Sequence, residues 1–122
     1  MENDLTGTVI GAAIEVHRIL GPGLLESAYE ECLCRELTLR NIPFERQMPL
    51  PLKYKGTAID CGYRLDMVVG QEVVVELKAC SSLEPIHEAQ LLTYLRLTGI
   101  KVGLLINFNV PVLRDGIRRL VV

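Results

Sequence analysis

Apolar residues between about Leu5 and Leu20 recur at helical spacing, with Ile10, Ala13, Ile14 and Leu20 near one stripe, and predict a first helix. After the turn residues Gly21-Pro22-Gly23, a second helix is expected from about Leu24 to Arg40. The pattern then shortens. Strands are expected over about Phe44 to Tyr54, Ile59 to Val69 and Val73 to Lys78, the last two separated by Gly70-Gln71-Glu72, a hairpin signal. The stretch from Leu83 to Thr98 returns to helical spacing, with Ala89, Leu92 and Leu95 near one face and Gly99 as the stop, so a helix is placed at Glu84 to Thr98. Lys101 to Asn107 contains a continuous apolar run and reads as a buried strand beside Val73 to Leu77; a terminal strand is expected near Ile117 to Val122. Three strands in a meander, then a helical crossover to a fourth, predict an α/β (α+β) fold with a mixed central β-sheet flanked by helices.

The strand reading carries the candidate chemistry. Side chains at i and i+2 share a face of a strand, so Glu76 and Lys78 point the same way as Val74, while Val73, Val75 and Leu77 point the other way. Where Asp66 points depends on the turn. A two-residue loop at Gly70-Gln71 sets it opposite Val75, on the wrong face; a three-residue loop over Gly70 to Glu72 sets it opposite Glu76. The three-residue loop or a bulge is therefore expected. Two carboxylates at cross-strand distance repel unless a cation lies between them, and such oxygen ligands suit Mg²⁺ or Mn²⁺. An ammonium two residues along can hold an attacking water or stabilise charge on a phosphate. The alternative is a surface hairpin with a Glu-Lys ion pair, worth little; the setting Val73-Val74-Val75-Glu76-Leu77-Lys78-Ala79-Cys80 instead reads as a buried strand, where charge is rarely placed without a partner.

Two further groups extend the pattern. Gln90 and Tyr94 are four apart on one helix and therefore neighbours, and Gly23, Glu26 and Tyr29 open the second helix at three-residue spacing. A Glu on an N-terminal helix, an Asp on one strand, Glu-x-Lys on the next and Gln-x-x-x-Tyr on the following helix resemble the motif series of the PD-(D/E)XK nuclease superfamily. The Gln-x-x-x-Tyr element is similar to that of its exonuclease branch, and Gly23, Glu26 and Tyr29 match the signature of the GxxExxY family, a group of small PD-(D/E)XK-like proteins. The resemblance runs from about Ile10 to about Phe108 and implies a restriction-endonuclease-like core. It also implies that Asp66 and Glu76 bind a divalent metal, Mg²⁺ or Mn²⁺, with the backbone carbonyl of Leu77 as a further ligand and Glu26 beside the metal, directly or through water. Lys78 would orient or activate the water; Gln90 and Tyr94 would shape the active site or touch the nucleic-acid backbone. The residue before Asp66 is Leu65 where the superfamily's name has Pro, a position that varies widely.

Each of these residues also has an ordinary role open to it. Glu26 near a helix N-terminus favours the macrodipole. Tyr29 and Tyr94 can be core or boundary aromatics, and Gln90 a solvated position. His17 lies on or beside the apolar stripe of the first helix and reads as a packed histidine that could also approach the site; His87 is a weaker candidate.

Composition narrows the setting. The 122 residues, 49% hydrophobic, suit one domain over 1–122 with a sizeable core and leave no room for a second. No stretch reaches the length of a membrane span and no basic region precedes an apolar signal segment, so a cytoplasmic protein is expected. Cys32, Cys34, Cys61 and Cys80 lack metal-site spacing and read as structural thiols rather than as ligands of an iron–sulfur cluster. The formal net charge of −2 sits awkwardly with a partner that is nucleic acid, expected to be DNA, although Lys53 and Lys55, and Arg114, Arg118 and Arg119, cluster locally. Weak intrinsic DNA binding, aided by a protein partner or by homo-oligomerisation, is the expectation. The readings that remain are a metal-dependent nuclease, a catalytically weak or silent module in a nucleic-acid or protein complex, and an enzyme on another phosphate-bearing substrate. The intact Asp, Glu and Lys set argues against the silent module. DNA against RNA, exonuclease against endonuclease, and strand preference stay open.

Overall fold

The computed structural model describes residues 5–122. Helix α1 (Leu5–Leu20) buries Val9, Ala12, Ala13 and Val16, a spacing of three and four that leaves one continuous apolar stripe. Helix α2 (Glu26–Leu39) buries Tyr29, Leu33 and Leu37 in the same manner and packs beside α1. It begins two residues later than the expected Leu24, because Leu25 is the extended N-cap.

Strands β1 (Phe44–Pro49), β4 (Arg64–Val69), β5 (Val73–Lys78), β6 (Val102–Asn107) and β7 (Ile117–Val121) form a five-stranded sheet in the order β1-β4-β5-β6-β7. Only β5 and β6 are parallel, joined over one face by helix α3 (Pro85–Thr98); the other neighbours are antiparallel. This is the expected meander and helical crossover, a mixed α/β architecture consistent with a restriction-endonuclease-like fold. Gly99, at φ 78°, ends α3 in the left-handed conformation that the sequence signal required.

Two expected strands divide. Phe44 to Tyr54 breaks between Pro49 and Leu52, and Ile59 to Val69 breaks between Ile59 and Arg64. Pro49 and Pro51 bring no N–H to a ladder; Gly62, at φ 76°, turns the chain while its N–H donates to Asp60 Oδ1 at 2.9 Å. The intervening residues form a separate hairpin of β2 (Leu52–Tyr54) and β3 (Thr57–Ile59) that leaves the main sheet and returns to it.

Period-two alternation sorts the core into two layers. Met67, Val69, Val73, Val75, Leu77, Leu104 and Ile106 pack with α1 and α2. Val68, Val74 and Leu105 pack with Leu91, Tyr94 and Leu95 of α3. The buried face of α3 is thus not the expected Ala89-Leu92-Leu95 stripe: Ala89 is exposed and Leu92 half-buried. Leu91 lies against Gly103, where an added Cβ would stand 3.0 Å from its side chain, so the glycine lets the helix approach the sheet and sets its rotation.

A candidate active site between two strands and two helices

The turn between β4 and β5 settles where Asp66 points. Val69 pairs with Val73, so Gly70, Gln71 and Glu72 form the expected three-residue loop, with Gly70 and Gln71 both at φ 58°. The Glu72 N–H closes the turn on the Val69 carbonyl at 3.0 Å. The backbone ladder runs as far as Met67–Val75. One step further, side chains replace carbonyls: the Asp66 N–H donates to Glu76 Oε2 at 2.9 Å, and the Leu77 N–H donates to Asp66 Oδ2 at 2.8 Å.

These bonds hold two carboxylates together in a largely dry place. Glu76 is buried, and burial, with the Asp66 and Glu26 charges added, pushes its carboxyl up to about 8. Burial also raises the Asp66 carboxyl, helped by the charge of Glu30, while the Leu77 N–H, Lys78 and Gln47 oppose the rise. Glu26, at the first position of α2, has its carboxyl raised by desolvation and by Asp66 and Glu30, with Lys78 and His87 pulling the other way. Lys78 is half-buried and attracts Glu26, Asp66 and Glu76, yet it forms no ion pair among the described residues. Tyr94 closes the group from α3: burial and the charges of Glu76 and Asp66 raise its phenol.

Five of the sequence-singled residues therefore converge: Glu26, Asp66, Glu76, Lys78 and Tyr94. Gln90 stands one turn before Tyr94 on α3, half-buried, without a hydrogen bond to either carboxylate. Leu77 contributes its amide to the pair and its side chain to the α1–α2 layer. His17 lies elsewhere: its Nε2 is 2.7 Å from the Val110 carbonyl and its ring neighbours Phe108, the packed role. His87 accepts the Glu84 N–H on Nδ1 at 2.9 Å and completes the capping box of α3.

The Gly23-Glu26-Tyr29 spacing has a local physical meaning. Gly23 adopts φ 100°, which favours glycine. The Tyr29 hydroxyl donates to the Gly21 carbonyl at 2.6 Å and accepts the Leu24 N–H at 3.1 Å, while its ring stacks on Phe108 with centroids 4.4 Å apart. The tyrosine thus ties down the loop that delivers Glu26.

Three residues of the site escaped sequence reasoning. Glu30, one turn after Glu26 and buried, accepts from Gln47 Nε2 at 2.9 Å and from Arg46 Nε and Nη2 at 3.1 and 3.0 Å. Gln47 faces Asp66 where the β1–β4 ladder is interrupted, at φ 50°, a left-handed conformation unusual within a strand. Spacing of four from Glu26 could have found Glu30; nothing in the sequence marks Gln47. Asn107, buried at the end of β6, accepts the Cys80 N–H at 3.1 Å and donates to the Cys80 carbonyl at 3.0 Å, fixing the chain just beyond Lys78. A polar residue closing an apolar run was its signal.

The family model of the PD-(D/E)XK nuclease superfamily matches residues 3–120. The chain belongs to the PD-(D/E)XK nuclease superfamily. No curated protein and no solved structure matches it. Membership supports a nuclease-type, hydrolytic function and a nucleic-acid partner, and PD-(D/E)XK nucleases generally use divalent metals. Among the described residues no group of three His, Cys, Asp or Glu side chains is arranged to hold a metal alone. The donor chemistry nevertheless fits a hard cation: Mg²⁺ is commonly held by one or two carboxylates with water completing the shell, and the mutual repulsion of Asp66 and Glu76 is what such a charge relieves. No helix among the described residues is long and apolar enough to cross a membrane.

Proposed function

We propose that this chain is a metal-dependent nuclease that hydrolyses DNA phosphodiester bonds, acting as a single nuclease-like domain over 1–122 in a cytoplasmic setting. The observation that carries the reading is the Asp66–Glu76 pair, with Glu76 buried and Asp66 half-buried, hydrogen-bonded across two strands and flanked by Lys78. Asp66 and Glu76 would hold Mg²⁺, or Mn²⁺, with the Leu77 carbonyl, and Glu26 would stand beside it, directly or through water. When bound, such a cation offsets the charge of the carboxylates and the phosphate and lowers the pKa of a water. Lys78 positions that water and meets charge developing on the phosphate. Tyr94 narrows the site from α3, and Gln90, one turn away, reaches toward the nucleic-acid backbone. The Gly23-Glu26-Tyr29 motif and the Gln90-Tyr94 pair favour the GxxExxY family and the exonuclease branch as the finer placement.

Metal-dependent cleavage of linear, circular and single-stranded DNA, measured with and without Mg²⁺, tests the reading. Cleavage by the wild-type protein that is lost in Lys78→Ala, with Asp66 and Glu76 intact, supports it.

A second reading has its own observation. Both carboxylates already accept backbone N–H groups, and no third acidic, histidine or cysteine side chain among the described residues completes a metal cage with them. A catalytically weak or silent module, binding nucleic acid or a protein partner in a larger complex, has no need of more. Absence of metal-dependent cleavage on every DNA form, with nucleic-acid binding retained, would favour it.

A further inference from the structure

The β2–β3 hairpin is an excursion that the sheet does not need. Its strands pair only with each other, a two-stranded unit that is marginal on its own in water. Yet it keeps Tyr54 63% exposed and Ile59 40% exposed, and Tyr63, at its return to the sheet, 43% exposed. Lys53, Lys55 and Arg64 set three positive charges against the single negative charge of Asp60 between Pro51 and Arg64, in a chain whose net charge is −2. Arg18 pairs with Glu15, Arg40 with Glu36 and Arg46 with Glu30 and Glu31, whereas Lys53, Lys55 and Arg64 have no carboxylate partner among the described residues; Lys55 lies over the Tyr54 ring, 5.6 Å from its centroid, and Arg64 Nη1 donates to the Gln47 carbonyl at 3.5 Å. Asp60 itself is occupied with the Gly62 N–H.

The hairpin's base adjoins the carboxylates. Tyr63 meets Tyr94 edge to face, with centroids 6.4 Å apart, and Arg64 stands two residues before Asp66 on β4, on the same strand face. A phosphate approaching Asp66 and Glu76 meets negative charge, so its approach needs positive charge nearby. Exposed aromatic rings interleaved with cations that no carboxylate neutralises form a surface complementary to a single strand, whose bases stack and whose phosphates pair with Lys and Arg.

We propose that the β2–β3 hairpin, with Tyr63 and Arg64 at its base, is the arm that holds a single-stranded nucleic-acid segment leading into the Asp66–Glu76 site. Tyr54 and Tyr63 stack on unpaired bases; Lys53, Lys55 and Arg64 contact the phosphates. The inference rests on the nuclease reading and adds to it the substrate's single-stranded character and its path.

Fluorescence anisotropy with labelled single-stranded and duplex oligonucleotides, in EDTA so that cleavage does not intervene, tests it together with cleavage kinetics in Mg²⁺. Tyr54→Ala is expected to weaken single-strand binding roughly tenfold, and the Lys53→Ala/Lys55→Ala double variant to flatten the salt dependence by about one unit of slope per lysine. Both should raise KM far more than they lower kcat. Lys101→Ala, at the opposite end of β6 from Asn107, should match the wild type. Wild-type cleavage with hairpin variants that bind and cleave equally well overturns the arm while leaving the nuclease reading intact. A wild-type protein that neither binds nor cleaves overturns both. Hairpin variants that dissociate an oligomer in sedimentation velocity without changing oligonucleotide affinity assign the surface to a second copy of the chain and overturn the arm.

Discussion

Asp66 and Glu76 hold one another across the β4–β5 pair, the Asp66 N–H on Glu76 Oε2 at 2.9 Å and the Leu77 N–H on Asp66 Oδ2 at 2.8 Å. Each carboxylate takes the place of a backbone carbonyl, so the point where the ladder opens is also where two carboxyl groups meet. The strands remain joined there by groups that a cation or a proton can modulate.

That arrangement makes the metal-free fold sensitive to pH. Burial and the charge of Asp66 raise the Glu76 carboxyl from its ordinary 4.5 to about 8 in the folded chain. Between those values the folded protein holds a proton that the unfolded chain has released, so stability must fall as pH rises through the window. Glu76→Gln keeps an oxygen for the Asp66 N–H but carries no charge. Urea midpoints taken across the window in EDTA should decline for the wild type and decline less for Glu76→Gln; parallel curves would contradict the assignment.

Tyr29→Phe removes one hydroxyl that donates to the Gly21 carbonyl and accepts the Leu24 N–H. The ring keeps its stacking on Phe108, so the loss is confined to the loop before Glu26 and should cost about 1 kcal/mol in denaturant unfolding. If Glu26 serves the site, activity should fall further than this small destabilisation accounts for.

Asn107→Ala strips the Cys80 N–H of its side-chain acceptor and leaves the Cys80 carbonyl only the longer bond from Asn109 Nδ2 at 3.4 Å. Leaving that N–H unsatisfied costs roughly 1–3 kcal/mol, and the segment that follows Lys78 loses its main anchor. Chemical denaturation should show the destabilisation, with faster amide exchange at Ala79 and Cys80 than within β5.

The order in which the four free thiols react should follow their surroundings. Cys34 is buried on α2, and desolvation pushes its thiol up to about 11, so little thiolate forms in mildly alkaline solution. Cys61 is exposed in the loop before β4. Mass spectrometry during iodoacetamide treatment should find Cys61 modified early and Cys34 last.

Local rules carried the reading furthest where a single interaction decides. Gly99 stops α3 because of its own backbone, and the loop length at Gly70 to Glu72 follows from the need to keep Glu76 and Asp66 on one face. The strand breaks at Pro49–Pro51 and Gly62 had local signals too, but apolar Leu52 and Ile59 on either side made continuous strands look equally good. What stayed illegible depends on distant pairings. The rotation of α3 is set by Gly103 receiving Leu91, and the Glu30–Gln47 contact joins residues 17 apart in sequence; neither follows from periodicity. Of the candidate site, Glu26, Asp66, Glu76, Lys78 and Tyr94 meet in space, whereas Gln90 was read from its spacing to Tyr94 alone and makes no contact with the carboxylates through a hydrogen bond.

The most direct test of the central claim is calorimetric titration of Mg²⁺ and Mn²⁺ into the wild-type protein and into Asp66→Ala. The account predicts saturable binding to the wild type and its loss in Asp66→Ala, with the variant still folded by circular dichroism; wild-type protein that takes up neither ion, or a variant that binds as well as the wild type, would contradict it.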